Sequence, residues 1–365
     1  MKKRILIALP SDCLGGAEQY LKNIAVFFLK KEYLVTVLFL KSNESGGWKN
    51  LKTKNNIKLI FTSTSSELKG IIPFIKNLIG LRKERFDFIF TSHVHITGVL
   101  GFFVKLNIIK KTFFIGREST SIFKRFNGLK LILFKTFYLL GYSSIDLLVC
   151  QTDIMKTQLI EALPWLSKKT SIQVIPNPVN FNDISFNEKI DRKFGKFIVA
   201  AGRLIHLKGF DLLIKAFKII KNKYPSLKLV ILGEGSSRSK LERLTLDLNL
   251  ECDVFLEGFV ENVYPYFNKS ILCVVSSRIE GFPNVLLQMM SQNTKVVSTL
   301  CAGGIEDIKG ISIAETNNVI SLANAIENTL KQNSVENRVI FDNNLAERSI
   351  GKFIQKIEFH LNGHK

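Results

Sequence analysis

Short apolar runs of four to eight residues alternate with longer amphipathic segments along almost the whole chain, and this rhythm limits the fold more than any other feature. In the first half the runs are RILIAL, LVTVLFL, IKLIFT, FDFIFTS, TFFIG, DLLVCQ and IQVIP. In the second half they are FIVAAG, LKLVILG, DVFLEG, SILCVVSS, KVVST and ISIA. Helix-like stretches lie between them, at 16–30, 121–140, 207–222, 236–248 and 282–292. Such βαβα order predicts parallel sheets covered on both faces by helices. Thirteen strands are too many for one sheet of usual size. The expectation is therefore an α/β chain of two doubly wound, Rossmann-like domains.

The seam falls at VIPNPVN, residues 174–180, where two prolines interrupt the pattern and a polar stretch, NFNDISFNEKIDRKFGK, follows. This gives domains 1–180 and 181–365, with no repeat visible between them. Residues from about 337 read as helical, and the final helix, about 349–361, is expected to pack back on the first domain. Ligands of open α/β sheets sit beyond the carboxyl ends of the strands, so the expected site is a cleft between the two domains.

Of the chain's 365 residues, 51 are Lys or Arg and 31 Asp or Glu, a formal net charge of +20. The excess is one-sided. Residues 1–180 hold 27 basic and 11 acidic side chains, whereas residues 181–365 hold 24 and 20. A basic half implies an anionic partner: nucleic acid, a bilayer surface or a phosphorylated substrate. The five scattered cysteines (Cys13, Cys150, Cys252, Cys273 and Cys301) form no CxxC pair and read as reduced core thiols of a cytoplasmic protein. The opening MKKRILIALPSDC has too short an apolar stretch for a signal peptide, and LKLILFKTFYLLGY is broken by Lys135, so no membrane span is expected.

Chemistry-bearing residues follow strand ends. After the first strand comes SDCLGGAEQYLKN, where Gly15 and Gly16 open a helix whose N-terminus favours an anion. After FIVAAG, Arg203 and Lys208 precede a helix and could hold a diphosphate. LVILGEGSSRSKLERL carries Gly233 and Gly235, but the third glycine of a dinucleotide fingerprint would fall on Arg238, and the run is mid-domain. A dehydrogenase is therefore not expected. In VVSSRIEGFPNVLLQMM, Glu280 leaves a strand end, Gly281, Phe282, Pro283 and Asn284 form a turn, and a helix starts before Val285. Gln288 lies two helical turns beyond Glu280, near the same face. Gly303 and Gly304 supply another glycine pair after the next strand.

Taken together, GGAEQY, GRLIHLKGFDLLIKAF, LVILGEG, FLEGFVEN, SRIEGFPNVLLQMM and STLCAGGIEDI resemble the retaining glycosyltransferases of family 4, the group 1 glycosyl transferases of GT-B fold, in order over nearly the whole chain. The resemblance implies two Rossmann-like domains facing across a cleft. It implies that Arg203 and Lys208 bind the diphosphate of a nucleotide sugar and that Glu280, the first acid of an E-x7-E element, contacts the donor sugar. The second acid, which holds the ribose, falls on Gln288, a departure that removes charge assistance. Phe259 and Val260 fall where the family's loop meets the base, and Gly15 and Gly16 beside the diphosphate. FDFIFTSHVHITGVL resembles the segment that brings a histidine to the donor sugar; His93 and His95 both qualify, and spacing from Asp87 favours His95. GREST, with Arg117 and Glu118, resembles a loop on the acceptor side.

The resemblance further implies transfer of a hexosyl or N-acetylhexosaminyl unit with retention and without a metal; no Asp-x-Asp or ligand-spaced His/Cys/Asp cluster is present, and no cofactor is expected. The nucleotide expected is UDP, and the acceptor a lipid-linked or surface-polysaccharide glycan such as lipopolysaccharide, O-antigen or capsule. Residues 121–141 join Lys124, Arg125, Lys130 and Lys135 to Phe123, Phe126, Leu129, Leu133, Phe134 and Phe137, and LKGIIPFIKNLIGLRKERF is similar. Both suit the interface of an anionic membrane, predicting a cytoplasmic protein peripheral on the inner face of the cell membrane. No nucleic-acid-binding pattern is present. The competing readings are a GT-B sugar-nucleotide epimerase or hydrolase and a non-catalytic sugar-nucleotide-binding subunit.

Overall fold

The computed structural model describes residues 2–363 except 14, 43–45, 120–121, 180–189 and 191–193, and most of the polar stretch after residue 180 lies outside the described residues, as do the side chains of Lys124 and Arg125. The chain divides into two compact units, Met1–Pro178 with Arg348–Lys365 and Val179–Glu347.

Unit 1 runs β1 (Arg4–Leu9), α1 (Gly16–Lys30), β2 (Leu34–Phe39), β3 (Ile57–Ile60), α2 (Glu67–Gly80), β4 (Arg85–Thr91), α3 (Val94–Lys105), β5 (Lys110–Arg117), α4 (Ile122–Arg125), α5 (Gly128–Gly141), β6 (Leu147–Cys150), α6 (Asp153–Ala162) and β7 (Ser171–Val174). Its sheet has the order β3-β2-β1-β4-β5-β6-β7, all parallel. Alternation along β1 sends Leu6 and Ala8 to one face, among α2, α3, α5 and α6, and Ile5, Ile7 and Leu9 to the other, among α1. Each fully buried Leu, Ile or Phe there contributes roughly 1.5–3 kcal/mol.

Unit 2 runs β8 (Phe197–Ala201), α7 (Phe210–Lys221), β9 (Lys228–Leu232), α8 (Arg238–Asp247), β10 (Val254–Gly258), α9 (Tyr264–Lys269), β11 (Leu272–Val275), α10 (Asn284–Gln292), β12 (Val296–Thr299), β13 (Ser312–Ala314), α11 (Val319–Lys331) and α12 (Asn337–Glu347). Its sheet, β10-β9-β8-β11-β12-β13, is also parallel. The last helix, α13 (Ile350–Asn362), belongs to unit 1: its Phe353, Ile354, Ile357 and Leu361 join the α1 face of that sheet, and Phe353 meets Tyr20 edge to face at 5.6 Å between ring centroids.

Every one of the thirteen apolar runs forms a strand. The stretch 121–140, read as one helix, is instead two, broken at Phe126–Asn127, with Gly128 at φ +57. Asn-Gly is a turn dipeptide, and here the left-handed glycine ends one helix and begins the next. Helix α5 packs on α3 through glycines. A Cβ on Gly101 would stand 2.2 Å from the Gly141 carbonyl oxygen, and one on Gly98 2.5 Å from that of Phe137. The cysteines are all free; Cys150, Cys273 and Cys301 are buried, but Cys252 is exposed in a loop rather than in a core.

Candidate active site

In each sheet the strand order reverses beside the first strand, between β1 and β4 in unit 1 and between β8 and β11 in unit 2. That switch point opens a crevice at the carboxyl ends, because the two flanking helical connections leave in opposite directions.

In unit 2 the crevice is built by the segments after β8 and β11. The first passes Gly202 and the exposed Arg203, makes a short turn at His206–Lys208, and enters α7 through Gly209 at φ +64. A Cβ on Gly209 would lie 2.1 Å from the Ser276 carbonyl oxygen, and one on Gly233, at φ +141, 2.0 Å from that of Gly202, so both backbones need glycine to approach so closely. Ser276 Oγ donates to the Lys208 carbonyl at 2.9 Å, and Arg278 makes a two-pronged contact with Asp211 at 2.6 and 2.7 Å. These contacts fix the two segments against each other. Across them, Lys208 Nζ donates to Glu280 Oε1 at 2.6 Å, and Ser277 Oγ donates to the same oxygen at 2.6 Å. Glu280 Oε2 has no partner among the described residues, and neither does the Arg203 side chain. Helix α10 begins just beyond, after the Gly281–Phe282–Pro283 turn. Its N-cap is Pro283, which gives no side-chain cap, so Asn284 and Val285 open its positive end.

Gln288 follows on α10, its Nε2 donating to Tyr264 Oη at 3.3 Å, and burial raises the Tyr264 phenol to about 12, which keeps it protonated. Phe259 is 79% exposed after β10, while Val260 packs partly against the core.

In unit 1 the crevice lies between the segments after β1 and β4. Gly15, extended, is the N-cap of α1 and Gly16 its first residue. Glu18, in the first turn, places its Oε1 3.0 Å from His93 Nε2. His93 is the N-cap of α3 and His95 lies in its first turn. The two imidazoles stand 6.2 Å apart, and burial, then the neighbouring His93, lowers the His95 pKa to about 4. His93 Nδ1 and His95 Nε2 are both buried without a hydrogen-bond partner among the described residues.

Arg117 and Glu118 were expected on an acceptor loop but sit inside unit 1, at 4% and 2% exposure. Arg117 is the last residue of β5. It donates to Ser92 Oγ at 2.9 Å and Asn177 Oδ1 at 2.5 Å and lies over the Tyr20 ring at 4.3 Å, and burial lowers its pKa to about 10. Glu118 accepts from Tyr138 Oη at 2.9 Å, and burial raises its pKa to about 7. Their charge made them look like loop residues. The network that buries them reaches to Asn177 and Tyr138, too far along the chain for local reading.

The sequence reading also missed Glu18, Ser277, Tyr264 and the Arg278–Asp211 pair. Glu18 had a signal, an acid in the first turn after a glycine pair. For the others the partners lie 3 to 67 residues away, and no local pattern marks them.

Residues 182–348, nearly all of unit 2, match the family model described as glycosyl transferases group 1. Unit 2 is thus similar to that family, and the match covers less than half of the chain. An uncharacterised glycosyltransferase of Methanocaldococcus jannaschii is 33% identical to this chain over 175 residues, 46% of this chain and 43% of that protein. The chain thus spans less than half the length of that relative. A Campylobacter jejuni protein named GalNAc-alpha-(1->4)-GalNAc-alpha-(1->3)-diNAcBac-PP-undecaprenol alpha-1,4-N-acetyl-D-galactosaminyltransferase is 25% identical over 320 residues, 84% of this chain and 82% of that one. Among solved structures, Anabaena HepE in complex with UDP-glucose has a TM-score of 0.78 at 19% identity, covering 99% of both chains. That likeness concerns the fold, which is GT-B: two Rossmann-like halves, each a parallel sheet with interspersed helices.

Proposed function

We propose that this chain is a group 1 glycosyl transferase that moves a hexosyl or N-acetylhexosaminyl unit from a UDP-sugar to a lipid-linked or surface-polysaccharide glycan, with retention of configuration and without a metal. The observation that carries the reading is Glu280, held at one oxygen by Lys208 and Ser277 at the switch point of unit 2 and leaving the other oxygen for a sugar hydroxyl. The exposed Arg203, the Lys208 ammonium and the uncapped start of α10 supply the positive field that a leaving diphosphate needs. As the bond from the anomeric carbon to the phosphate oxygen breaks, the acceptor oxygen bonds to that carbon from the same face, and the acceptor proton passes to the departing phosphate. The UDP-glucose complex of HepE and the undecaprenol acceptor in the name of the Campylobacter relative support the choice of donor and acceptor class.

A membrane-bound acceptor agrees with the surface of unit 1. Helix α5 exposes Leu129, Ile132, Leu133 and Leu139 beside Lys130 and Lys135, and α2 exposes Leu68 and Ile72 beside Lys69 and Lys76. Both helices cover the same face of the sheet. No helix among the described residues is long and apolar enough to cross a membrane, so the attachment proposed is peripheral, at the inner face of the cell membrane.

The test is a panel of UDP-, GDP- and ADP-sugars assayed for nucleotide release with and without undecaprenyl-diphosphate-linked glycans. Release from a UDP-sugar that depends on acceptor is the expected result. Release without acceptor would indicate an epimerase or hydrolase, and no release with any donor would overturn the reading. Trapping a glycosyl adduct on a side chain would overturn same-face attack.

A further inference from the structure

We propose that Glu18 is a positioning residue for His93, and that through this pair His93, rather than His95, is the histidine that unit 1 presents to a sugar hydroxyl. The inference rests on the glycosyl-transfer reading above and deepens it. Glu18 and His93 come from the segments that follow β1 and β4, the two strands at the point where the sheet order reverses. Their side chains are 15% and 19% exposed and approach to 3.0 Å, so the contact joins the two segments and is only partly screened by water.

Both partners are held from behind. Glu18 lies in the first turn of α1, and its carboxylate folds over the start of that helix, with Oε2 2.6 Å from where a Cβ on Gly15 would stand. Any side chain at position 15 would push the carboxylate aside. His93 follows Ser92, whose Oγ accepts from the buried Arg117 guanidinium. Arg117 in turn rests on the ring of Tyr20, two residues beyond Glu18. One buried cation therefore contacts side chains next to both members of the pair.

A carboxylate facing Nε2 favours the imidazole tautomer with its proton on that nitrogen. Nδ1 is then an acceptor, and it is buried with no partner among the described residues. An acceptor left unpaired in this way costs stability unless a ligand donor meets it. A sugar hydroxyl is a donor of the right kind. His95 is built differently: it faces Phe137 at 6.3 Å between ring centroids, and desolvation keeps it neutral. It reads as part of the packing of α3 against α5.

The experiment uses the full chain in three forms: wild type, Glu18→Ala and Glu18→Gln. The 15N spectrum of the His93 imidazole in wild type should show the Nε2-protonated tautomer, and Glu18→Ala should lose that bias. In the transfer assay Glu18→Ala should lower kcat about 10- to 100-fold, the range for removing the partner that orients a functional histidine. The donor KM should change less than threefold. Glu18→Gln, which retains an acceptor oxygen in the same shape, should recover part of kcat and keep the fold if the alanine variant does not. An unchanged His93 tautomer in Glu18→Ala, or a loss confined to KM, would overturn the proposal. If wild type transfers no sugar at all, the functional reading fails, and the imidazole spectra still decide the role of Glu18.

Discussion

Lys208 and Glu280, separated by 72 positions in sequence, meet at 2.6 Å where β8 and β11 end, and Ser277 donates to the same carboxylate oxygen. The pair is part-buried, with side chains 19% and 15% exposed, so each charge is stabilised chiefly by the other. Replacing Glu280 with alanine removes the carboxylate oxygen proposed to meet the sugar and leaves Lys208 without its counter-ion. Transfer should fall by at least about 100-fold in kcat while the fold persists, checked by initial rates beside a thermal melt. Activity within twofold of wild type would sink the role given to Glu280.

Gln288 is fixed by Tyr264, and neither group carries charge near neutral pH. A carboxylate at this position would accept a ribose hydroxyl with charge assistance, a bond about twice as strong. Gln288→Glu should therefore tighten UDP binding by roughly 3- to 10-fold in calorimetry. Equal or weaker binding would show that this helix position does not meet the nucleotide.

Glu118 makes the stability of unit 1 depend on pH in an unusual direction. Burial raises its folded pKa from 4.5 to about 7. Below pH 4.5 the group is protonated whether folded or not, and its contribution is fully present. Between 4.5 and 7 only the unfolded chain ionises, so stability falls as pH rises, by an amount on the order of a few kcal/mol, and then levels off. His95 acts oppositely. Its folded pKa of about 4 lies below the usual 6.5, so its contribution is present above 6.5 and lost as pH falls toward 4. The two slopes oppose each other between 4.5 and 6.5. Glu118→Gln should expose the histidine slope, and denaturant midpoints of the variant should fall more steeply on acidification than those of wild type.

Helix α5 provides a test of the membrane reading that leaves unit 2 untouched. Each exposed lysine near an anionic surface is worth about 1 kcal/mol. Exchanging Lys130 and Lys135 for glutamate should weaken binding to phosphatidylglycerol vesicles at least about 30-fold, with UDP affinity unaltered. Leu129→Ser with Ile132→Ser should weaken it also at high salt, where the lysine effect is screened. Vesicle binding that ignores both pairs of substitutions would place the contact elsewhere.

The strands were legible because the pattern that makes them is local: β6 and β11 are buried along their whole length and read as unbroken apolar runs. Lys208 and Glu280 were legible as well, since each follows a strand end by a few residues in a recognisable motif. The pair they form was not, because nothing in either segment states that β8 and β11 are neighbours. Arg117 and Glu118 misled for the opposite reason. Two adjacent charges at a strand end signal a loop unless a buried tyrosine, serine and asparagine from distant segments are waiting for them. The break in the helix before Gly128 was written in the Asn-Gly dipeptide, but the apolar residues on either side outweighed it.

The glycine seam between α3 and α5 has a mechanical consequence. Contacts made by long side chains can yield through rotamer changes, whereas Gly98, Gly101 and Gly141 set carbonyl against backbone with no intervening atoms to deform. The two helices are thus geared together: a push on the outer helix is delivered to the inner one, and with it to His93 and His95 at its start, without slack.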